Sequence, residues 1–144
     1  MKEKGFTLIE LLVVIGILAV LAAVVLVAVN PGRQMAQARN SERWAEVNTL
    51  VNAINQYRID HGSLPACIST TTKCIGTGPC NGETDACDLS GALVPTYIAE
   101  LPKDSLTGSD ADTGYNVVTT GPPNYRITVS APDAELGVTI SASQ

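Results

Sequence analysis

Residues 6–29 are apolar but for a few small or polar side chains, and they carry one charge, Glu10. As a helix rising ~1.5 Å per residue, a run of this length reaches about 36 Å, enough to cross a ~30 Å hydrocarbon layer. It also holds much of the chain's 45% hydrophobic content, since the remainder is rich in Thr, Ser, Gly, Asp and Asn. A cleaved secretory signal needs an apolar region of only about 7–15 residues. Ala36-Gln37-Ala38 imitates a signal-peptidase site, but it lies beyond a polar stretch that starts at Asn30. A plain membrane anchor fits the length and leaves Glu10 unexplained. A carboxylate this deep costs about 2.5–3.5 kcal/mol on insertion scales. The apolar segment offers it no counter-group, so its partner is expected from the headgroup zone, another protein or a second copy.

Basic residues flank the run on both sides, Lys2 and Lys4 before it and Arg33, Arg39 and Arg43 after it, so counting positive charge does not set an orientation. The formal net charge is −5, and past residue 74 the only Lys or Arg are Lys103 and Arg126. An acidic C-terminal part does not neutralise phosphates, and no nucleic acid is expected as its partner. The charge suits a soluble surface.

Beyond residue 29 the pattern changes. Asn30-Pro31-Gly32 predicts a kink or a short unwound patch. A second, amphipathic helix then runs to about residue 62. Trp44, Val47, Leu50, Val51, Ile54 and Tyr57 form its apolar stripe, with Arg43, Glu46, Asn48, Asn52 and Asn55 opposite. Gly62 suits the position just after the helix end, and Pro65 follows. Residues 93–101 read as a short helix or turn ended by Pro102. Residues 115–120 and 125–130 read as strands around Gly121-Pro122-Pro123-Asn124, with Tyr125, Ile127 and Val129 on one buried face. Val138 and Ile140 mark a third strand. The expected class is α+β: a long N-terminal helix, half membrane-spanning and half amphipathic, packed on a small antiparallel sheet. The divisions are 6–29, 30–62 and a head at 63–144.

Four cysteines, Cys67, Cys74, Cys80 and Cys87, crowd into the connection between helix and strands. A head this small gains much from covalent staples, and in an exported chain an even number of cysteines reads as two disulfides. Three pairings are open. The spacing lacks the C-x2-C knuckles of zinc sites.

No Ser/His/Asp arrangement or phosphate loop appears, so no enzyme is expected. The one histidine, His61, sits in the last turn of a helix, where a cation suits the dipole. Asp104, Asp110 and Asp112 lie close in sequence in a Gly/Ser-rich stretch and are candidate ligands for Ca2+, a hard cation that takes oxygen donors. The loop is not an EF-hand, since Gly114 and Gly121 fall at the fifth and twelfth positions; an Asp-rich surface turn is the competing reading.

The N-terminal string Met1-Lys2-Glu3-Lys4-Gly5-Phe6-Thr7-Leu8-Ile9-Glu10-Leu11-Leu12-Val13-Val14 resembles the prepilin leader and methylation site of type IV pilins and type II secretion pseudopilins. The resemblance implies a pilin-like fold, a leader at 1–5, cleavage between Gly5 and Phe6 and N-methylation of the new Phe6 amine. It implies that Glu10 meets the Phe6 amine of a neighbouring subunit, which supplies the missing partner. It implies a cytoplasmic N-terminus, a single pass through the inner membrane, and an exported head that ends in an extracellular or periplasmic filament. The implied partners are other copies of the chain, a prepilin peptidase and methyltransferase, the pilus or secretion machinery, and lipid before assembly. Tyr57-Arg58-Ile59-Asp60-His61-Gly62-Ser63-Leu64-Pro65 and Tyr97-Ile98-Ala99-Glu100-Leu101-Pro102-Lys103-Asp104 are similar to elements of the same family, whose major pseudopilins bind calcium in a loop at a similar place. The cysteines depart from it, because many major type IV pilins close a C-terminal loop with their disulfide. The expected function is a structural subunit of a type IV pilus-like filament for attachment, motility or uptake. The first alternative is a type II secretion pseudopilin. A membrane-anchored minor pilin acting as a binding module ranks behind both, because after Tyr57 only Tyr97, Tyr115 and Tyr125 are aromatic.

Overall fold

The computed structural model describes residues 5–80 and 86–144. Residues 1–4 of the expected leader, and 81–85 of the cysteine-bearing connection, lie outside the described residues. The chain divides into two compact units, Met1–Met35 and Ala36–Gln144.

In the first unit the apolar run forms α1, Leu8–Val29, none of whose residues is buried. Asn30 ends it in the left-handed region, at φ 43°, and its carbonyl and side-chain oxygens accept from the Arg33 amide. The next helix, α2, starts at once and spans Pro31–His61. Proline at a first helical position loses no bond, because that N–H has no intrahelical partner in any helix. The expected interruption is therefore one residue long.

The second unit is built on the rest of α2. Val47, Leu50, Val51, Ala53 and Ile54 join one buried cluster with Ile75, Leu89, Leu93, Tyr115, Val117, Ile127, Val129 and Ile140. Each large aliphatic side chain buried there is worth about 1.5–3 kcal/mol over leaving it exposed. Four strands are found among the described residues: β1 (Lys73–Cys74), β2 (Asn116–Thr119), β3 (Ile127–Ala131) and β4 (Ile140–Ser143). They pair antiparallel in the order β1-β2-β3-β4, with Val117 opposite Val129 and Ala131 opposite Ile140. The short helix α3, Ser90–Leu93, buries Leu93. Gly62 ends α2 with φ 69°, its N–H bonded to the Arg58 carbonyl at 2.9 Å, as its position in the sequence leads one to expect.

Several expectations need correction. Trp44 is 43% exposed, while Arg43, placed on the polar side, is buried. The buried face of α2 follows Ala36, Asn40, Arg43, Val47, Leu50 and Ile54, the same helical row extended backwards through polar residues. Tyr125 and Val138 are half-exposed because β3 and β4 begin two residues later than the alternation suggested. Strand β1 was not anticipated, and two residues give no period to detect.

Candidate functional site

The start of α1 is a capping box. Thr7 is the N-cap, with extended backbone, and its hydroxyl accepts from the Glu10 amide at 3.3 Å. In return Glu10 Oε2 accepts from the Thr7 amide at 2.8 Å and from the Thr7 hydroxyl at 2.7 Å. This arrangement satisfies donors that every helix start leaves open. It also corrects the expectation that the segment offers Glu10 no partner. The signal was legible, as Thr-x-x-Glu ahead of an apolar run is the capping-box signature. Residues 5–7 are exposed and precede the helix, so the Gly5–Phe6 bond lies in accessible, non-helical backbone, and the Phe6 ring is 84% exposed.

From Leu8 onward α1 shows its apolar side chains on every side. By length and composition it can cross a membrane. Contiguous apolar surface of this extent is rare on a soluble monomer and marks a surface that lipid or protein covers.

In the head, the polar residues of α2 meet two loops distant in sequence. Arg43 Nε donates to Asp104 Oδ2, and its Nη2 to Oδ1 at 3.2 Å. Its Nη1 reaches Asn40 Oδ1 at 3.0 Å and Glu135 Oε2 at 3.1 Å. Arg39 grips Glu135 with two bonds of 2.6 Å. Asn40 closes the set by donating to the Glu135 carbonyl at 2.8 Å and accepting from its amide at 3.0 Å. Asp104 also accepts from the amides of Leu106 and Thr107 at 2.9 and 3.1 Å. Burial pushes the Asp104 carboxyl up, but the Arg43 guanidinium and those two amides prevail and hold it at about 2. Glu135 is held at about 2, chiefly by its bonds to Arg39. Gly114 packs against this site at φ 82°, where a Cβ would come within 2.8 Å of the Asp104 Cβ.

The candidate calcium donors are thus not brought together. Asp104 turns inward to Arg43, Asp110 pairs with Lys103 at 2.5 Å, and Asp112 accepts from the Gly114 amide at 2.9 Å in an Asx-type turn. Among the described residues no three His, Cys, Asp or Glu side chains gather where a metal ion could be held. Asp104 has both carboxylate oxygens engaged, by Arg43 and two backbone amides, whereas Asp110 and Asp112 are each bonded through one oxygen.

The cysteines pair as Cys67–Cys87 and Cys74–Cys80, leaving none free. The first ties the segment after α2 to the segment before α3. The second closes a small loop off β1. Backbone bonds join the two bridges, Cys87 N–H to the Cys74 carbonyl at 2.8 Å and Gly76 N–H to the Cys87 carbonyl at 3.2 Å.

The two motif elements of the head also meet. The rings of Tyr57 and His61 stack at 4.1 Å, and the Tyr97 hydroxyl donates to Asp60 at 2.9 Å while its ring stands edge-on to Tyr57. His61 Nδ1 lies 3.1 Å from the Tyr57 carbonyl, so the histidine closes the end of α2. Deeper in the head, the buried Tyr115 hydroxyl donates to Glu46; burial and then that carboxylate raise the tyrosine pKa.

Residues 1–26 match the family described as the prokaryotic N-terminal methylation motif. Along more of its length the chain is 41% identical over 114 residues to a fimbrial protein of Neisseria meningitidis serogroup A, an alignment covering 79% of this chain and 59% of the relative. It is 30% identical over 103 residues to the type II secretion system core protein G of Vibrio cholerae, covering 72% of this chain and 65% of that protein. A type IV major pilin protein of Neisseria gonorrhoeae, PilE1, is 41% identical over 63 residues, 44% of this chain and 37% of the relative. The chain therefore spans less than two thirds of the length of these relatives. No solved structure matches it significantly.

Proposed function

Because the chain belongs to the type IV pilin and pseudopilin family, we propose that it is the structural subunit of a type IV pilus-like filament, and not an enzyme. The observation that carries this reading is α1, an apolar helix with no buried residue that opens on a capping box and follows an accessible Gly5–Phe6 bond. A prepilin peptidase cuts that bond, the Phe6 amine is methylated, and α1 holds the subunit in the inner membrane until it assembles, with the N-terminus cytoplasmic and the head exported. In the filament Glu10 faces the Phe6 amine of a neighbour. The capping box uses Thr7 and Glu10 alone, so the cut removes none of its groups, and its bonds to the carboxylate all fall on Oε2. Lipid covers α1 before assembly, and other copies cover it afterwards.

The likeness to the Vibrio secretion protein favours a second reading, a pseudopilin in a short filament of a type II secretion system. Electron microscopy of the native host separates the two: long surface filaments containing this chain support the pilus, and secretion defects without such filaments support the pseudopilus. Intact mass tests the processing. The mature chain should begin at Phe6 with one added methyl, and a chain that keeps Met1 would refute the prepilin reading. Glu10→Val should still insert in the membrane and still be cut, yet yield few or no filaments.

A further inference from the structure

A cavity of about 300 Å³ lies where the last turns of α2, the segment 62–68, the end of β2 and the start of the β3 arm meet. Leu64, Pro65 and Ile68 give it an apolar wall, and Arg58, Thr119 and Tyr125 also line it. The wall is held in place. The Ile68 amide donates to the Pro65 carbonyl and the Thr119 amide to the Ser69 carbonyl, both at 3.0 Å, and the adjacent Cys67 is bridged to Cys87. A site already shaped in this way needs little ordering when a ligand enters.

Two polar groups in this cavity are unmatched. Acidic residues outnumber basic ones by 14 to 9 in the chain, and Arg39, Arg43 and Lys103 each face a carboxylate. Arg58 has no acidic partner among the described residues. Its Nη1 donates to the Tyr125 carbonyl at 2.9 Å, which fixes the half-buried guanidinium and leaves most of its donors uncommitted. No carboxylate lines the cavity. Thr119 is buried, and its hydroxyl has no hydrogen-bond partner among the described residues. Buried hydroxyls are normally bonded, so one left unmet on a cavity wall offers a place for a ligand atom.

We propose that this cavity binds a free carboxylate that carries a compact apolar body, either a ring or a branched chain. Each part of the site selects against another class of occupant. A cation is repelled by Arg58, and a neutral hydrocarbon leaves both Arg58 and Thr119 unmatched. A phosphate or sulfate would turn its further oxygens towards Leu64, Pro65 and Ile68, where nothing can bond them. A carboxylate fits the planar guanidinium fork, and its body covers the apolar wall. The volume is at the small end of ligand pockets, so it suits one ring or one side chain and not a long segment. A small organic acid and the C-terminal end of a peptide present this same chemistry. Every group involved belongs to a single head, so the proposal stands apart from the filament reading.

The test uses the isotope-labelled full chain in an uncharged maltoside detergent, followed by amide and guanidinium NMR. The probes are benzoate and N-acetyl-leucine, each beside its neutral amide. At least one acid should shift the Arg58 Nε–H and Thr119 amide signals, with half-saturation at roughly millimolar concentration. Its amide should bind about tenfold more weakly, because the charge-assisted bonds are lost. Arg58→Gln should weaken the acid by about tenfold and leave the amide within about twofold. Thr119→Val, which keeps the shape and removes the hydroxyl, should weaken the acid by about threefold. Unchanged signals elsewhere and four oxidised cysteines report that each variant still folds. Tighter binding of N-acetyl-leucine assigns the site to a peptide end, and tighter binding of benzoate assigns it to a small acid. Acid and amide binding equally well to the parent chain, or neither acid shifting these signals at about 20 mM, would overturn the proposal.

Discussion

Helices α1 and α2 follow one another with Asn30 alone between them, yet they solve opposite problems. None of α1 is buried within the chain, whereas α2 hides Val47, Leu50, Val51 and Ile54 against the sheet and keeps a cation, Arg43, inside. Hydrophobicity therefore does not tell which helix belongs to the core. The more apolar helix must find its cover outside the chain. The more polar one is covered within it, because its charges and amides are matched by loops that return to it from far along the sequence.

The comparison breaks most easily at the ion network. Asp104→Leu should destabilise the head by about 3–5 kcal/mol, because it strands the buried Arg43 guanidinium. Chemical unfolding of the detergent-solubilised chain, followed through Trp44 fluorescence, would show this, while α1 helicity should not change. The double change Arg43→Met with Asp104→Leu should recover most of the loss, as an apolar pair of similar volume leaves no charge unpaired. Next come the staples. Cys67 and Cys87 are 20 residues apart and Cys74 and Cys80 only 6, so loop entropy predicts losses of about 3 and about 2 kcal/mol when each pair becomes Ala. Equal losses would show that the bridges act through local packing and not through the unfolded chain.

Acid sharpens the contrast further. Asp104 titrates near 2 in the folded head, against an ordinary value of 3.8. A depressed carboxylate stabilises the fold above its unfolded pKa, so the contribution, about 2 kcal/mol, is present at neutral pH. It is lost as the pH falls from about 4 to about 2. Unfolding midpoints should drop over that window, and Asp104→Leu in the Arg43→Met background should reduce the drop and leave the part that belongs to Glu135, still paired with Arg39. Thr7→Ala has the smallest expected effect, about 1 kcal/mol at the first turn of α1. It should appear as faster amide exchange at Ile9 and Glu10, with the head unaffected.

Much of this was legible in sequence because it depended on runs and periods. The apolar segment, the glycine at the end of α2 and the alternation around Ile127 and Val129 are local patterns, and local physics decided them. The burial of Arg43 was not legible, since it is settled by Asp104 and Glu135, 61 and 92 residues away. A charged residue at a core spacing was the available hint. The Thr7–Glu10 pairing is local and is legible in the Thr-x-x-Glu spacing ahead of the apolar run. The surroundings of Asp104 are non-local too. Spacing put it with Asp110 and Asp112, and the fold turned it towards a cation on another element.

The return of those loops to α2 also imposes an order in time. As the chain is synthesised, Arg43 emerges long before either of its acidic partners. A partial chain that packed α2 on whatever strands existed would have to bury an unmatched guanidinium. Until Asp104 arrives that side chain is more stable in water, and Glu135 completes the match only later, so burying this stretch of α2 costs more in a partial chain than in the whole head. Burial of Arg43 is thus cheap only in a head whose two returning loops are both present.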